Sequence, residues 1–188
     1  MGGVLHVCTG NQARSPMAER MMVASLWRRF GSAADAIFVA SGGTQGPPGR
    51  PIQPLAVAEL KRRGVSGEEF SSQLVDLGAA GRAHLVLTAT REHRDLIVAR
   101  APGALRHTFT WRELAWLVAD LPPGALPGRY PVERVASLAR VARQRRGYLR
   151  PLAPALFDVA DPMGGTKQDY RVAAAEIEEA LETILDVL

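Results

Sequence analysis

Cys8 and Arg14 stand with five residues between them in the run Cys8-Thr9-Gly10-Asn11-Gln12-Ala13-Arg14-Ser15. A turn of this kind, leading from a strand into a helix, points its backbone N–H groups inward. Together with the helix dipole they form a cradle for a tetrahedral dianion. Gly10 relaxes such a turn, and Asn11 tolerates a left-handed backbone. The amide donors, the helix N-terminus and Arg14 all favour the thiolate form of Cys8, which is the nucleophilic form. The planar fork of Arg14 matches two equatorial oxygens of a phosphoryl group, and Ser15 can donate its hydroxyl to the sulfur. A Cys and an Arg at this spacing also fit a structural thiol beside a surface cation. The cradle is selected by context: an apolar run before it, Gly-Asn inside it, Arg-Ser-Pro after it and no other Cys in the chain.

The elements around this segment follow from an alternation of short apolar runs with amphipathic stretches, the pattern of a parallel sheet covered by helices. Strands are expected at Val4 to Val7, Ile37 to Ala40, His84 to Thr88 and Arg106 to Phe109. Helices are expected from Ser15-Pro16 to about Phe30, with Ser15 as cap, and then at Leu55 to Arg63, Arg91 to Arg100 and Trp111 to Val118. Residues 45–54 carry four Pro and two Gly and read as a loop. The spacing of Tyr170, Ala173, Ala174, Ile177, Leu181, Ile184 and Leu185 predicts a terminal helix with an apolar stripe docked on the sheet and a solvated acidic face. Trp27, Trp111 and Trp116 are expected as core or helix-face anchors. The expected class is therefore α/β, a parallel sheet with helices on both faces and the anion-binding loop after the first strand.

At 188 residues with 47% hydrophobic content the chain suits one domain, residues 1–188. A single Cys excludes an intramolecular disulfide or Cys-based zinc site, and the four His residues lack metal-ligand spacing, so no metal is expected. No apolar run approaches the ~18 residues of a membrane span, and no membrane partner is expected; the expected setting is the cytoplasm. Charge is uneven: residues 129–150 hold seven Arg and one Glu, whereas residues 158–188 hold eight acids against Lys167 and Arg171. The Arg-rich segment reads either as a lid that selects an anionic substrate or as a solvated helix neutralised by the acidic C-terminal one, and the second reading is preferred. Only Tyr130 and Tyr148 interleave with these Arg residues, so nucleic acid is not expected as a partner.

Val7 to Glu19, V-C-T-G-N-Q-A-R-S-P-M-A-E, resembles the signature of the low-molecular-weight protein tyrosine phosphatase family. Ser41-Gly42-Gly43-Thr44 is similar to that family's S-A-G-T, and Asp161-Pro162-Met163-Gly164-Gly165 resembles the D-P-x-G-G acid loop of its bacterial branch. Relative to the shortest members, residues of about 120–155 are an Arg-rich helical insertion. The resemblance implies a four-stranded parallel sheet and hydrolysis of phosphotyrosine protein or another phosphomonoester through a phosphocysteine, without a cofactor. Cys8 would attack phosphorus, Thr9, Gly10, Asn11, Gln12, Ala13 and Arg14 would bind the phosphoryl group, and Asp161 would protonate the leaving group and then activate water. Ser15 would support the sulfur, and Ser41 would support Asn11. Partners would be a phosphorylated protein or a small phosphate ester.

Departures from the pattern bear on substrate. Ala13 stands where many members carry a second Cys, so oxidised Cys8 would need an external thiol. Residues 45–50 contain no aromatic to stack on a phosphotyrosine ring, and Gln12 differs from the residues seen at that position in the tyrosine and arginine branches. Phosphoarginine hydrolysis and thiol-dependent arsenate reduction are the alternatives, although arsenate reduction would have little use for Asp161. The segment Glu69 to Leu74 lacks the His that often supports the family's cradle.

Overall fold

The computed structural model describes residues 3–122, 124–150 and 152–188. Four strands form one all-parallel sheet: β1 (Gly3–Cys8), β2 (Phe38–Gly43), β3 (Leu85–Thr88) and β4 (Thr108–Thr110), in the order β2-β1-β3-β4. Every residue of β1 is buried, as a central strand covered on both faces requires. Successive side chains alternate between faces. Val4 and Cys8 join the larger core, whereas Leu5 and Val7 join the smaller core on the opposite face. The register sets Cys8 beside Gly43 at the carboxyl end of the sheet.

The larger core lies under helices α1 (Arg14–Phe30), α5 (Trp111–Val118) and α7 (Lys167–Asp186). The smaller core lies under α3 (Leu77–Arg82) and α4 (Arg91–Arg100), and α2 (Pro54–Arg62) packs on α1 and α7. None of these helices is long and apolar enough to cross a membrane. The apolar stripe of α7 is buried from Tyr170 to Leu185. Its acids do not simply face water: Glu176 pairs with Arg112 at 2.9 Å, Glu178 with Arg63 at 2.8 Å, and Glu182 and Asp186 with Arg29 at 2.5 and 2.7 Å. These exposed cross-helix pairs set register more than stability.

The Arg-rich segment forms α6 (Pro131–Arg145), which buries Val135, Leu138, Ala139 and Ala142 in the larger core. It packs on the 3₁₀ turns Gly31–Ala36 and Pro102–His107, which lead into β2 and β4 and so mark the amino ends of the strands. That is the end of the sheet opposite Cys8, so α6 is no lid over the thiol. Among the described residues no acid of α7 pairs with this segment: Arg146 pairs with Glu113 at 2.8 Å and Arg145 with Asp120, while Arg134 donates to the carbonyl of Leu188.

Several boundaries differ from expectation for identifiable reasons. Helix α1 begins at Arg14, so Ser15 lies inside the first turn and is not its cap. The second strand runs on through Ser41-Gly42-Gly43 because Gly42 and Gly43 admit neighbouring backbone where a Cβ would collide. Helix α3, capped by Asp76 through Gly78 and Ala79 N–H, escaped the apolar pattern because only Ala80 of it is buried. The fourth strand shrinks to Thr108–Thr110 after a 3₁₀ turn begun at Pro102. Trp111 is fully buried, but Trp27 is 52% exposed and anchors no core.

His6 is fully buried, and its Nδ1 accepts from Trp111 Nε1 at 2.9 Å, tying α5 to β1. Burial lowers its pKa to about 3, and burial together with Arg14 lowers that of His93 to about 4. Both rings are therefore neutral when folded, whereas the unfolded chain takes up protons near 6.5. With folded values below unfolded ones, the penalty is absent above about pH 6.5 and grows as pH falls toward 4 and then 3. Urea unfolding is accordingly expected to show stability falling from pH 7 to pH 5, with a shallower fall in His6→Gln.

Candidate active site

Asn11 organises the turn after β1. Its backbone is left-handed at φ 53°, and its side chain is fully buried. The amide nitrogen donates to Ser15 Oγ at 2.9 Å and Ser41 Oγ at 2.8 Å, while Oδ1 accepts from Gln73 N–H at 2.9 Å. Both N–H bonds and the carbonyl are thus employed, which fixes the amide's orientation. Because Asn11 donates into the Ser15 oxygen, the Ser15 hydroxyl hydrogen is free to point at Cys8 Sγ, 3.0 Å away. Gly43 closes the other side, where an added Cβ would meet Thr9 O at 2.7 Å and Asn11 N at 3.1 Å.

Among the described residues the backbone N–H groups of Gly10, Asn11, Gln12 and Ala13 donate to no protein acceptor. The turn borders a cleft of about 210 Å³ lined by Cys8, Thr9, Gly10, Gln12, Ala13, Arg14, Asp161 and Met163. Unpaired amides, the start of α1 and a buried guanidinium give this cleft the positive potential an anion needs. Gln12 sits at its rim, its carbonyl accepting from Gln53 N–H at 2.8 Å and its side-chain Oε1 accepting from Gln53 Nε2 at 3.0 Å. Among the described residues no aromatic side chain and no residue of α6 lines it.

Arg14 is 3% exposed and is held at three points. One guanidinium nitrogen donates to Val159 O at 3.0 Å; the other donates to Thr9 Oγ1 at 3.1 Å and to Asp161 Oδ2 at 2.6 Å. Asp161, with its side chain 41% exposed, also accepts from Met163 N–H at 3.2 Å. Cys8, Arg14 and Asp161 therefore share one cleft.

Two residues that the sequence did not single out support this arrangement. Asp158 tethers the acid loop to the start of α4, accepting from Arg91 N–H at 2.7 Å and from its guanidinium at 2.9 Å. Burial raises the Asp158 carboxyl, but the Arg91 hydrogen bonds outweigh it and hold the group below the usual range. His93 is the other. Thr9 Oγ1 accepts from Arg14 and lies 2.9 Å from His93 Nε2, and His93 Nδ1 lies 2.6 Å from Thr90 Oγ1. Burial and Arg14 keep this ring neutral, so one of its nitrogens donates and the other accepts. Neither residue carries a local sequence signal, since Arg91 and Thr9 lie 67 and 84 positions from Asp158 and His93. Among the described residues no group of three or more His, Cys, Asp or Glu could hold a metal ion.

The family model for low molecular weight phosphotyrosine protein phosphatase matches residues 3–114, more than half the chain. A protein-arginine-phosphatase of Geobacillus stearothermophilus is 27% identical over 185 residues, covering 98% of this chain and 95% of the relative. A probable low molecular weight protein-tyrosine-phosphatase, EpsP, of Ralstonia nicotianae is 29% identical over 111 residues, covering 59% of this chain and 71% of the relative. Among solved structures, the low molecular weight protein tyrosine phosphatase of T. tengcongensis superposes with TM-score 0.70 at 24% identity over 100% of both chains. The YwlE arginine phosphatase of Geobacillus stearothermophilus does so with TM-score 0.67 at 25% identity, over 98% of this chain and 90% of that one.

The hydrogen bonds of Asn11 predict a measurable effect on the cleft. Asn11→Ala frees Ser15 and Ser41 and is expected to weaken inorganic phosphate binding on the order of 10- to 100-fold by calorimetry, the usual scale for a supporting partner. Unchanged affinity would mean that Asn11 does not shape the cradle.

Proposed function

Since the chain belongs to the low molecular weight phosphotyrosine protein phosphatase family, we propose that Cys8, Arg14 and Asp161 carry out its phosphoryl transfer. The enzyme is a cysteine-based phosphatase. In the first step the Cys8 thiolate forms a bond to phosphorus while the bond to the leaving group breaks, and Asp161 gives that group its proton. In the second step water attacks the phosphocysteine, Asp161 takes the proton, and phosphate leaves with the sulfur restored as thiolate. The Ser15 hydroxyl at 3.0 Å stabilises the departing sulfur. Arg14 and the amides from Thr9 to Arg14 hold the equatorial oxygens, where charge is redistributed in the transition state.

The observation that carries this reading is the 2.6 Å contact between Arg14 and Asp161, two residues 147 positions apart. Asp161 lies beyond the matched residues 3–114, yet it meets the cleft beside the guanidinium that would bind the phosphoryl group. Arsenate reduction with an external thiol would leave this carboxylate without a task. We read residues 1–188 as one phosphatase domain acting on phosphorylated protein or small phosphate esters. A lone thiol with Ala13 in place of a resolving Cys suits a reducing compartment, the cytoplasm.

A second reading is favoured by the absence of aromatic side chains from the cleft lining. A phosphotyrosine ring would find no stacking partner there, whereas an aliphatic phosphoarginine needs none. Two relatives that cover 98% and 96% of this chain are protein-arginine-phosphatases, at 27% identity each. Asp161 would then protonate the guanidine nitrogen of a breaking P–N bond.

Hydrolysis of para-nitrophenyl phosphate tests the assignments. Cys8→Ser and Arg14→Ala are expected to abolish turnover, and Asp161→Ala to lower kcat on the order of 10²- to 10⁴-fold. Full activity in Cys8→Ser would refute the mechanism. Comparing kcat/KM for phosphotyrosine and phosphoarginine peptides separates the two substrates, the second reading expecting the larger value for phosphoarginine.

A further inference from the structure

Helices α2 and α7 both start at the rim of the cleft and run away from it side by side. The residue before α2, Gln53, is bonded to Gln12 through its backbone and its side chain. Helix α7 starts at Lys167, just past the acid loop, and its Tyr170 hydroxyl reaches Met163 Sδ at 3.6 Å. Between the helices lies a cavity of about 220 Å³ lined by Leu55, Ala58, Glu59, Arg62, Lys167 and Arg171. Three cations and one carboxylate therefore face it.

That carboxylate is engaged most closely by Arg63, which it shares with Glu178. Glu59 is 5% exposed and accepts from Arg63 at 2.8 Å, whereas it lies 3.9 Å from Arg62 and 4.0 Å from Arg171. Among the described residues Arg62 and Arg171 have no closer carboxylate, and Lys167 has none within ion-pair distance. Lys167 also occupies the first position of a helix, where the dipole disfavours a cation. Arg62 and Arg171 thus share one carboxylate at long range and Lys167 has none, so the cavity carries an excess of positive charge.

We propose that this groove is a binding subsite for an acidic side chain of the phosphorylated protein substrate. The subsite rests on the phosphatase reading and adds to it a preference in the chain around the phosphorylated residue. Leu55 and Arg62 are seven residues apart, which at helical rise separates them by about 10 Å. An extended peptide covers about 3.3 Å per residue. Leu55 itself lies outside the cleft lining, so the Glu or Asp that reaches Arg62 and Arg171 lies at least about three residues from the phosphorylated one. Leu55 and Ala58 supply an apolar floor for the stem of that side chain.

The test compares peptides that differ only in Glu against Gln at positions three to five residues to either side of the phosphorylated one, one set carrying phosphotyrosine and one carrying phosphoarginine. Wild-type enzyme is expected to favour the Glu peptides in kcat/KM by about five- to tenfold at low salt, mostly through KM, with the ratio shrinking as salt screens the pairs. In Arg62→Gln/Arg171→Gln the ratio is expected to fall to about one, and Lys167→Gln to lower it in part, while para-nitrophenyl phosphate turnover stays at the wild-type value in both variants. Equal turnover of Glu and Gln peptides by wild type, or a preference that survives the double substitution, overturns the subsite. Loss of para-nitrophenyl phosphate activity from wild type itself would instead overturn the phosphatase reading.

Discussion

A thiolate and a phosphoryl dianion repel, and they meet only where positive potential is fixed in advance. In this protein the potential is assembled at the carboxyl end of the central strand, from amides that bond nothing else, a helix start and a buried guanidinium. Backbone donors can converge in this way only if one residue turns left-handed and is kept there. Asn11 meets that demand, with φ 53° and every hydrogen-bonding group of its side chain occupied. Gly43 must lack a Cβ for the loop to lie against β2, so the second strand shapes the cradle as much as the first.

The guanidinium is a second hub. Arg14 joins the loop after β1, through Thr9, to the acid loop, through Val159 and Asp161. Asp158 and Arg91 tie that acid loop to α4, and Val159 N–H donates to Ala89 O at 2.8 Å. The proposed acid, Asp161, is thus referenced to the same sheet as Cys8. His93 closes the circuit from α4 back to Thr9. Rigid support of this kind is what electrostatic preorganisation requires.

Much of this could be read from residue order alone. Cys8 to Ser15 carries its chemistry in local spacing, and the helices at Arg91–Arg100 and Trp111–Val118 have the bounds their periodicity implies. What escaped was decided by partners distant in sequence. Ser15 reads as a cap because Ser-Pro normally is one, but Asn11 and Cys8 claim its hydroxyl. His93 and Asp158 carry no local motif and gain their roles only when α4 meets the loop after β1, for His93, and the acid loop, for Asp158. For the Arg-rich segment charge alone left a lid and a solvated helix as alternatives, and its apolar stripe, which fastens it to the far end of the sheet, disfavours the lid. The cations that line the groove between α2 and α7, Arg62, Lys167 and Arg171, are spread over two helices and form no run.

The central claim is that sulfur, held in this cradle, carries the phosphoryl group between the two steps. Acid-quenching the enzyme during para-nitrophenyl phosphate turnover and mapping the modified residue by mass spectrometry tests it most directly. The account predicts a phosphoryl group on Cys8, preceded by a burst of nitrophenol stoichiometric with enzyme wherever the second step is the slower. Turnover with no covalent phosphoenzyme by either readout, or with the group on another residue, would contradict it.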